Sequence, residues 1–128
     1  MNTNHLFALV NNLKSVLADS YALSLKTQNY HWNVTGPNFE SLHLLFEAQY
    51  NDLAEAIDLI AERIRALGEK IPVSLSIFNK MTTIPDGDET ADAPTMVGQL
   101  AQDQLSIIKT LKAALASAQN RSDEVTIN

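Results

Sequence analysis

His43, Glu47, Asp58 and Glu62 all fall in the run from Asn38 to Leu67, which reads as one long helix. At about 100° per residue they sit near 0°, 40°, 60° and 100°, so one narrow stripe carries an imidazole and three carboxylates. Those donors suit iron, manganese or zinc. Yet His43 and Glu62 lie 19 positions apart, or ~28 Å along a helix axis, and no single ion can touch both ends of the stripe. The residue numbers suggest a solution. Positions 43 and 62, and positions 47 and 58, are symmetric about a point near Asp52. Two antiparallel copies of the helix related by a two-fold there would bring His43 and Glu47 of one beside Glu62 and Asp58 of the other. A symmetric dimer makes each such contact twice, giving two identical metal sites at the interface. The competing reading is the solvated polar face of an amphipathic helix.

The elements that must carry this stripe are helical. Between about Asn4 and Trp32, apolar residues fall at Leu6, Leu9, Val10, Leu13, Val16, Leu17 and Tyr21, a 3.6-residue period. Asn33-Val34-Thr35-Gly36-Pro37 ends that helix, because Gly and Pro together break it. The second helix opens at Asn38 as N-cap and closes at Gly68 as a C′ residue. Its seam runs Phe39, Leu42, Phe46, Gln49, Leu53, Ile57, Ile60, Ile64 and Leu67, with Gln49 the one polar interruption. Residues 69–92 read as a long crossover: Ile71-Pro72 and Ile84-Pro85-Asp86-Gly87-Asp88 are turn chemistry flanking a short helix from Leu75 to Met81. A third long helix opens near Asp92 or Thr95 and runs to about Gln119, with Val97, Leu100, Gln104, Ile107, Ile108, Leu111, Leu115 and Ala118 as its seam. No segment alternates with period two, so the class is all-α. Asn120-Arg121-Ser122-Asp123-Glu124 reads as the start of a further helix. Three antiparallel amphipathic helices leave a groove that a fourth would fill. Either truncation has removed that helix or a partner covers the groove, and we favour truncation of a single domain spanning 1–128.

Composition bounds the function. The 128 residues are 45% hydrophobic and 19% charged, which is globular and enough for one core. There is no cysteine, which excludes thiol catalysis and an all-cysteinyl iron–sulfur cluster. The start, Met-Asn-Thr-Asn-His-Leu-Phe, has neither a basic segment nor a signal-like apolar core, and no apolar run is long enough to span a membrane. Cytoplasm is the expected compartment. A net charge of −6, with nine scattered basic residues and no basic arm, argues against strong DNA binding.

The stretch Asn29-Tyr30-His31-Trp32-Asn33-Val34-Thr35-Gly36-Pro37-Asn38-Phe39, followed by Leu42-His43-Leu44-Leu45-Phe46-Glu47 and by Asp58-Leu59-Ile60-Ala61-Glu62-Arg63-Ile64, resembles the Dps family. These are the mini-ferritins, also called DNA-protection-during-starvation proteins. The similarity covers essentially the whole chain, including the crossover and the Ala93-Pro94-Thr95-Met96-Val97 entry to the third long helix. The resemblance implies a ferritin-like helical bundle assembled as a hollow homododecamer built from two-fold dimers. It implies an iron site between subunits, with His31 and His43 of one facing Asp58 and Glu62 of its partner. Glu47 matches a position that is often Asp, as a ligand or as an acid supporting the ligands. The implied activity is that of a ferroxidase, oxidising Fe(II) preferably with hydrogen peroxide, storing ferric mineral and limiting oxidative stress. Trp32 reads most simply as a core or interface anchor, with acceptance of oxidising equivalents the lesser alternative, and His5 reads as an exposed terminal residue. Tyr30 and Tyr50 carry no assignable chemistry, and Asp52 and Glu55 are solvated or paired across the two-fold. The family's pore acids cluster on its last helix, of which only Asp123 and Glu124 stand here. The alternative is a non-catalytic or DNA-associated helical stress protein whose cage assembly was lost with that helix.

Overall fold

A computed structural model describes residues 3–120, with side chains over 4–116. Four helices make up the described chain: α1 (Thr3–Asn33), α2 (Phe39–Ala66), α3 (Leu75–Met81) and α4 (Ala93–Asn120). The expected helix start at residues 120–124, with Asp123 and Glu124, lies outside the described residues beyond Asn120. No described helix is long and apolar enough to cross a membrane.

α1 is the central element; α2, α4 and α3 all pack on it, whereas α2 and α4 have no comparable contact with each other. Its periodic apolar residues explain this role. Leu9, Val10, Leu13, Val16 and Leu17 are buried as the spacing predicts, but Tyr21 is partly out of the core and stacks on Phe78 of α3, ring centroids 4.8 Å apart. Two apolar clusters lie along α1. The first joins its N-terminal half to Ile64 of α2, Phe78 of α3 and Ala114 of α4. The second joins Leu23, Tyr30 and Val34 to Phe46 of α2 and to Met96 and Leu100 of α4. The late part of α2 and of α4 therefore sits beside the early part of α1, so both run antiparallel to it and parallel to each other. Parallel neighbours in sequence need a connection that returns the full length of the bundle, which is why residues 69–92 form a long crossover. Full burial of a side chain such as Phe46 or Ile64 contributes ~1.5–3 kcal/mol.

The crossover is fastened by polar contacts. Asp19, buried on α1, accepts hydrogen bonds from the Thr82 hydroxyl (2.7 Å) and the Thr83 N–H (2.8 Å) and hydroxyl. The Tyr30 hydroxyl donates to Gln99 of α4 and accepts from the Asp88 N–H at 3.2 Å. Gly87 lies so close to α1 that a Cβ there would meet Asn29, Lys26 and Tyr30 at 3.1–3.2 Å. Beneath it a buried ion pair, Lys26 Nζ to Asp103 Oδ2 at 2.8 Å, ties α1 to α4.

The helix ends mostly follow the expected chemistry. Gly68 closes α2 with φ +93°, a conformation that favours glycine. Asn38 precedes α2, but its side chain makes no capping bond; its carbonyl accepts instead from the Leu42 N–H and the Ser41 hydroxyl. Asp92 does cap α4, accepting from the Thr95 N–H at 2.9 Å. Hydrogen bonding from Thr95 holds the Asp92 carboxyl below its ordinary value of 3.8. A depressed folded pKa stabilises fully above the unfolded value, and that contribution is lost as pH falls below about 3.8 and through the folded pKa. Acid titration of Asp92→Asn, read by circular dichroism, should therefore show a shallower loss of stability below that pH than the native chain.

Candidate metal-ligand site

His31 and His43 meet where α1 ends and α2 begins. The tight Val34–Asn38 turn reverses the chain there, so the last turn of α1 lies against the first turns of α2. The two imidazoles stack nearly parallel, centroids 3.7 Å apart and planes 15° from coincidence. Each ring bonds to the other residue's backbone: His31 Nδ1 to the His43 carbonyl at 2.6 Å, and His43 Nδ1 to the His31 carbonyl at 2.7 Å. A carbonyl can only accept, so each Nδ1 carries the proton. With Nδ1 so engaged, the neutral form of each ring is the tautomer whose Nε2 presents a lone pair, the state a metal ligand requires. Because a lone pair lies in its ring plane and these planes are nearly parallel, one ion cannot lie along both. The stacked pair offers two donor positions, not one chelate.

The carboxylates stand elsewhere on the subunit. α2 is unbroken from Phe39 to Ala66, so the ~28 Å between His43 and Glu62 holds. Asp58 and Glu62 are exposed, Glu47 is partly buried, and Asp52 and Glu55 are exposed. Among the described residues no group of three His, Cys, Asp or Glu side chains converges to hold an ion within one chain. One subunit brings His31 and His43 together, with Glu47 one helical turn beyond His43, and leaves Asp58 and Glu62 at the far end of α2.

Two ring neighbours of the histidines had no functional role assigned from the residue pattern. Phe39 stacks on His43 with centroids 5.2 Å apart, and Tyr50 meets His31 edge-on at 5.3 Å. Phe39 lies one turn before His43 on the same face of α2, which was the available signal. Trp32 is not a residue of the subunit core: it is 66% exposed. It lines an open groove of about 630 Å³ with Leu25, Phe78 and Pro85. His5 is partly buried within α1.

The ferritin-like domain family matches residues 10–128. A DNA protection during starvation protein 2 of Bacillus anthracis is 36% identical over 114 residues, covering 89% of this chain and 78% of its own. This chain belongs to the Dps family of ferritin-like proteins. The crystal structure of a Dps protein from Vibrio cholerae O1, described as a member of a broad superfamily of ferritin-like diiron-carboxylate proteins, superposes with a TM-score of 0.92 at 30% identity, over 98% of this chain and 79% of that one. The fold of the family, an all-α ferritin-like bundle, is the fold found here. An uncharacterized low temperature-induced protein of Nostoc is 43% identical over 105 residues, 81% of this chain. The chain spans only 59% of that relative's length.

Proposed function

We propose that this protein is an iron-binding mini-ferritin that oxidises Fe(II), preferably with hydrogen peroxide, at sites shared between two subunits. The observation that carries the reading is the reciprocal His31–His43 arrangement. It leaves two Nε2 lone pairs ready for metal on a chain whose matching carboxylates lie too far away to share an ion with them. A partner related by a two-fold near Asp52 supplies Asp58 and Glu62 opposite His31 and His43. Membership of the Dps family supports the same reading.

In this arrangement the substrate is a pair of ferrous ions. Neutral imidazole suits Fe(II), and carboxylate oxygens retain the harder Fe(III). Because the stacked rings cannot share one ion, each serves its own position, and Asp58 and Glu62 of the partner neutralise the charge of both. Glu47, one turn from His43, acts as a ligand or as an acid supporting the ligands. Two Fe(II) ions each give one electron to one peroxide; its O–O bond breaks, and with two protons the oxygens leave as two waters. This consumption without a one-electron peroxide product protects against hydroxyl radical and so against oxidative stress. The ferric product is stored within a cage of two-fold dimers, the family homododecamer, in a cytoplasmic protein. Strong DNA binding forms no part of the proposal, given the net charge of −6.

Anaerobic protein mixed with Fe(II) and then peroxide should consume two ferrous ions per peroxide, far faster than buffer alone, with spin-trapped hydroxyl radical suppressed. Oxidation no faster than in buffer, or undiminished radical yield, would exclude a ferroxidase. Size-exclusion mass gives the assembly: a monomer cannot form shared sites, and a dimer cannot enclose mineral.

A further inference from the structure

The two histidines belong to a longer column of rings. Phe39 lies on His43 with planes 24° apart, His43 lies on His31, and Tyr50 presents a perpendicular ring to His31 at 74°. Phe39, His43 and Tyr50 fall within about 40° of one another around α2, so a single helix face supplies three of the four rings. A single Nδ1–H bond leaves an imidazole free to rock about that bond, and to turn over by half a revolution at the cost of one hydrogen bond. A ring packed on its face or edge removes that freedom, because any rotation then drives atoms into a neighbour.

We propose that Phe39 and Tyr50 are positioning residues for the histidine ligands: they hold the two imidazoles in register, so that both Nδ1 protons stay on the backbone carbonyls and both Nε2 lone pairs keep their direction. Neither side chain touches the ion. The consequence for iron rests on the shared-site reading above, whereas the ring lock itself is a property of the metal-free chain. The exposure of Phe39, 44% in the subunit, fits this role better than a core one. A residue that only packs would alter stability or dimerisation and leave the histidine tautomers alone.

The test uses the full 128-residue chain with ¹⁵N-labelled histidine. In metal-free native protein, NMR should show His31 and His43 each as one tautomer protonated at Nδ1. Phe39→Leu should mix the tautomers at His43, and Tyr50→Leu those at His31. Co(II), titrated by its visible spectrum, should bind roughly tenfold more weakly to both variants. Phe39→Tyr and Tyr50→Phe, which keep a ring, should restore single tautomers and Co(II) affinity. Circular dichroism checks helix content, and Phe39→Met and Tyr50→Met carry the same expectation should a leucine variant unfold. Single tautomers with unchanged Co(II) affinity in the ring-less variants would overturn the inference. Native protein with locked rings that takes up no Co(II) would instead overturn the iron-site reading.

Discussion

Chains carrying His31→Ala with His43→Ala should not oxidise Fe(II), nor should chains carrying Asp58→Ala with Glu62→Ala, yet the two mixed should recover roughly a quarter of native activity. Each two-fold dimer has two sites, and each site takes its imidazoles from one subunit and its carboxylates from the other. In a hybrid dimer one site lacks His31, His43, Asp58 and Glu62, and the other has all four. Random pairing of equal amounts makes half the dimers hybrid, and half the sites in those are whole. The single substitutions His31→Ala and Asp58→Ala should each slow oxidation by more than about tenfold, since even residues supporting metal ligands are worth 10–100-fold. Subunit exchange is followed by native mass spectrometry and oxidation by stopped-flow absorbance. Exchange without recovery would mean that the histidines and carboxylates do not act across the interface. The ~28 Å span of α2 would then leave the carboxylates without a role at the histidines.

Asp103→Ala should destabilise the fold by ~3–5 kcal/mol, because it strands the buried Lys26 ammonium without its counter-charge. Both side chains are almost wholly enclosed, 3% and 6% exposed, with the ammonium 2.8 Å from the carboxylate. The pair lies between α1 and α4 under the crossover, where a Cβ on Gly87 would meet the Lys26 stem at 3.1 Å. Such a loss is a large part of the 5–15 kcal/mol by which domains are ordinarily stable. The double variant Lys26→Met, Asp103→Leu should regain most of it, since two apolar side chains of similar volume leave no charge to solvate. Urea denaturation of the three proteins measures both effects. A cost below about 1 kcal/mol for Asp103→Ala would show that the ammonium finds water or another acceptor when its partner is removed.

The residue pattern by itself determined much of this protein. The 3.6-residue spacing of Leu9, Val10, Leu13, Val16 and Leu17 was enough to place the buried face of α1, because a helix repeats its faces regardless of its neighbours. The short helix at Leu75–Met81 and the closure of α2 at Gly68 follow from local turn chemistry in the same way. The stripe on α2 and its symmetry were visible because they are properties of a single straight element. The tertiary structure decided what depends on residues distant in the chain. The seam assigned to α4 missed Met96 and Asp103, both buried, and included Val97, Ile108 and Leu111, all exposed, because α4 packs chiefly on α1 and has no comparable contact with α2. An amphipathic period says which residues share a face, not which neighbours arrive to cover it. Lys26 and Asp103 look like ordinary surface charges until two helices bring them together. The histidine pair shows the same division. Its residue types announce metal chemistry, but the stacking, the exchanged carbonyl bonds and therefore the free Nε2 atoms exist only because the turn after α1 folds residue 31 back onto residue 43.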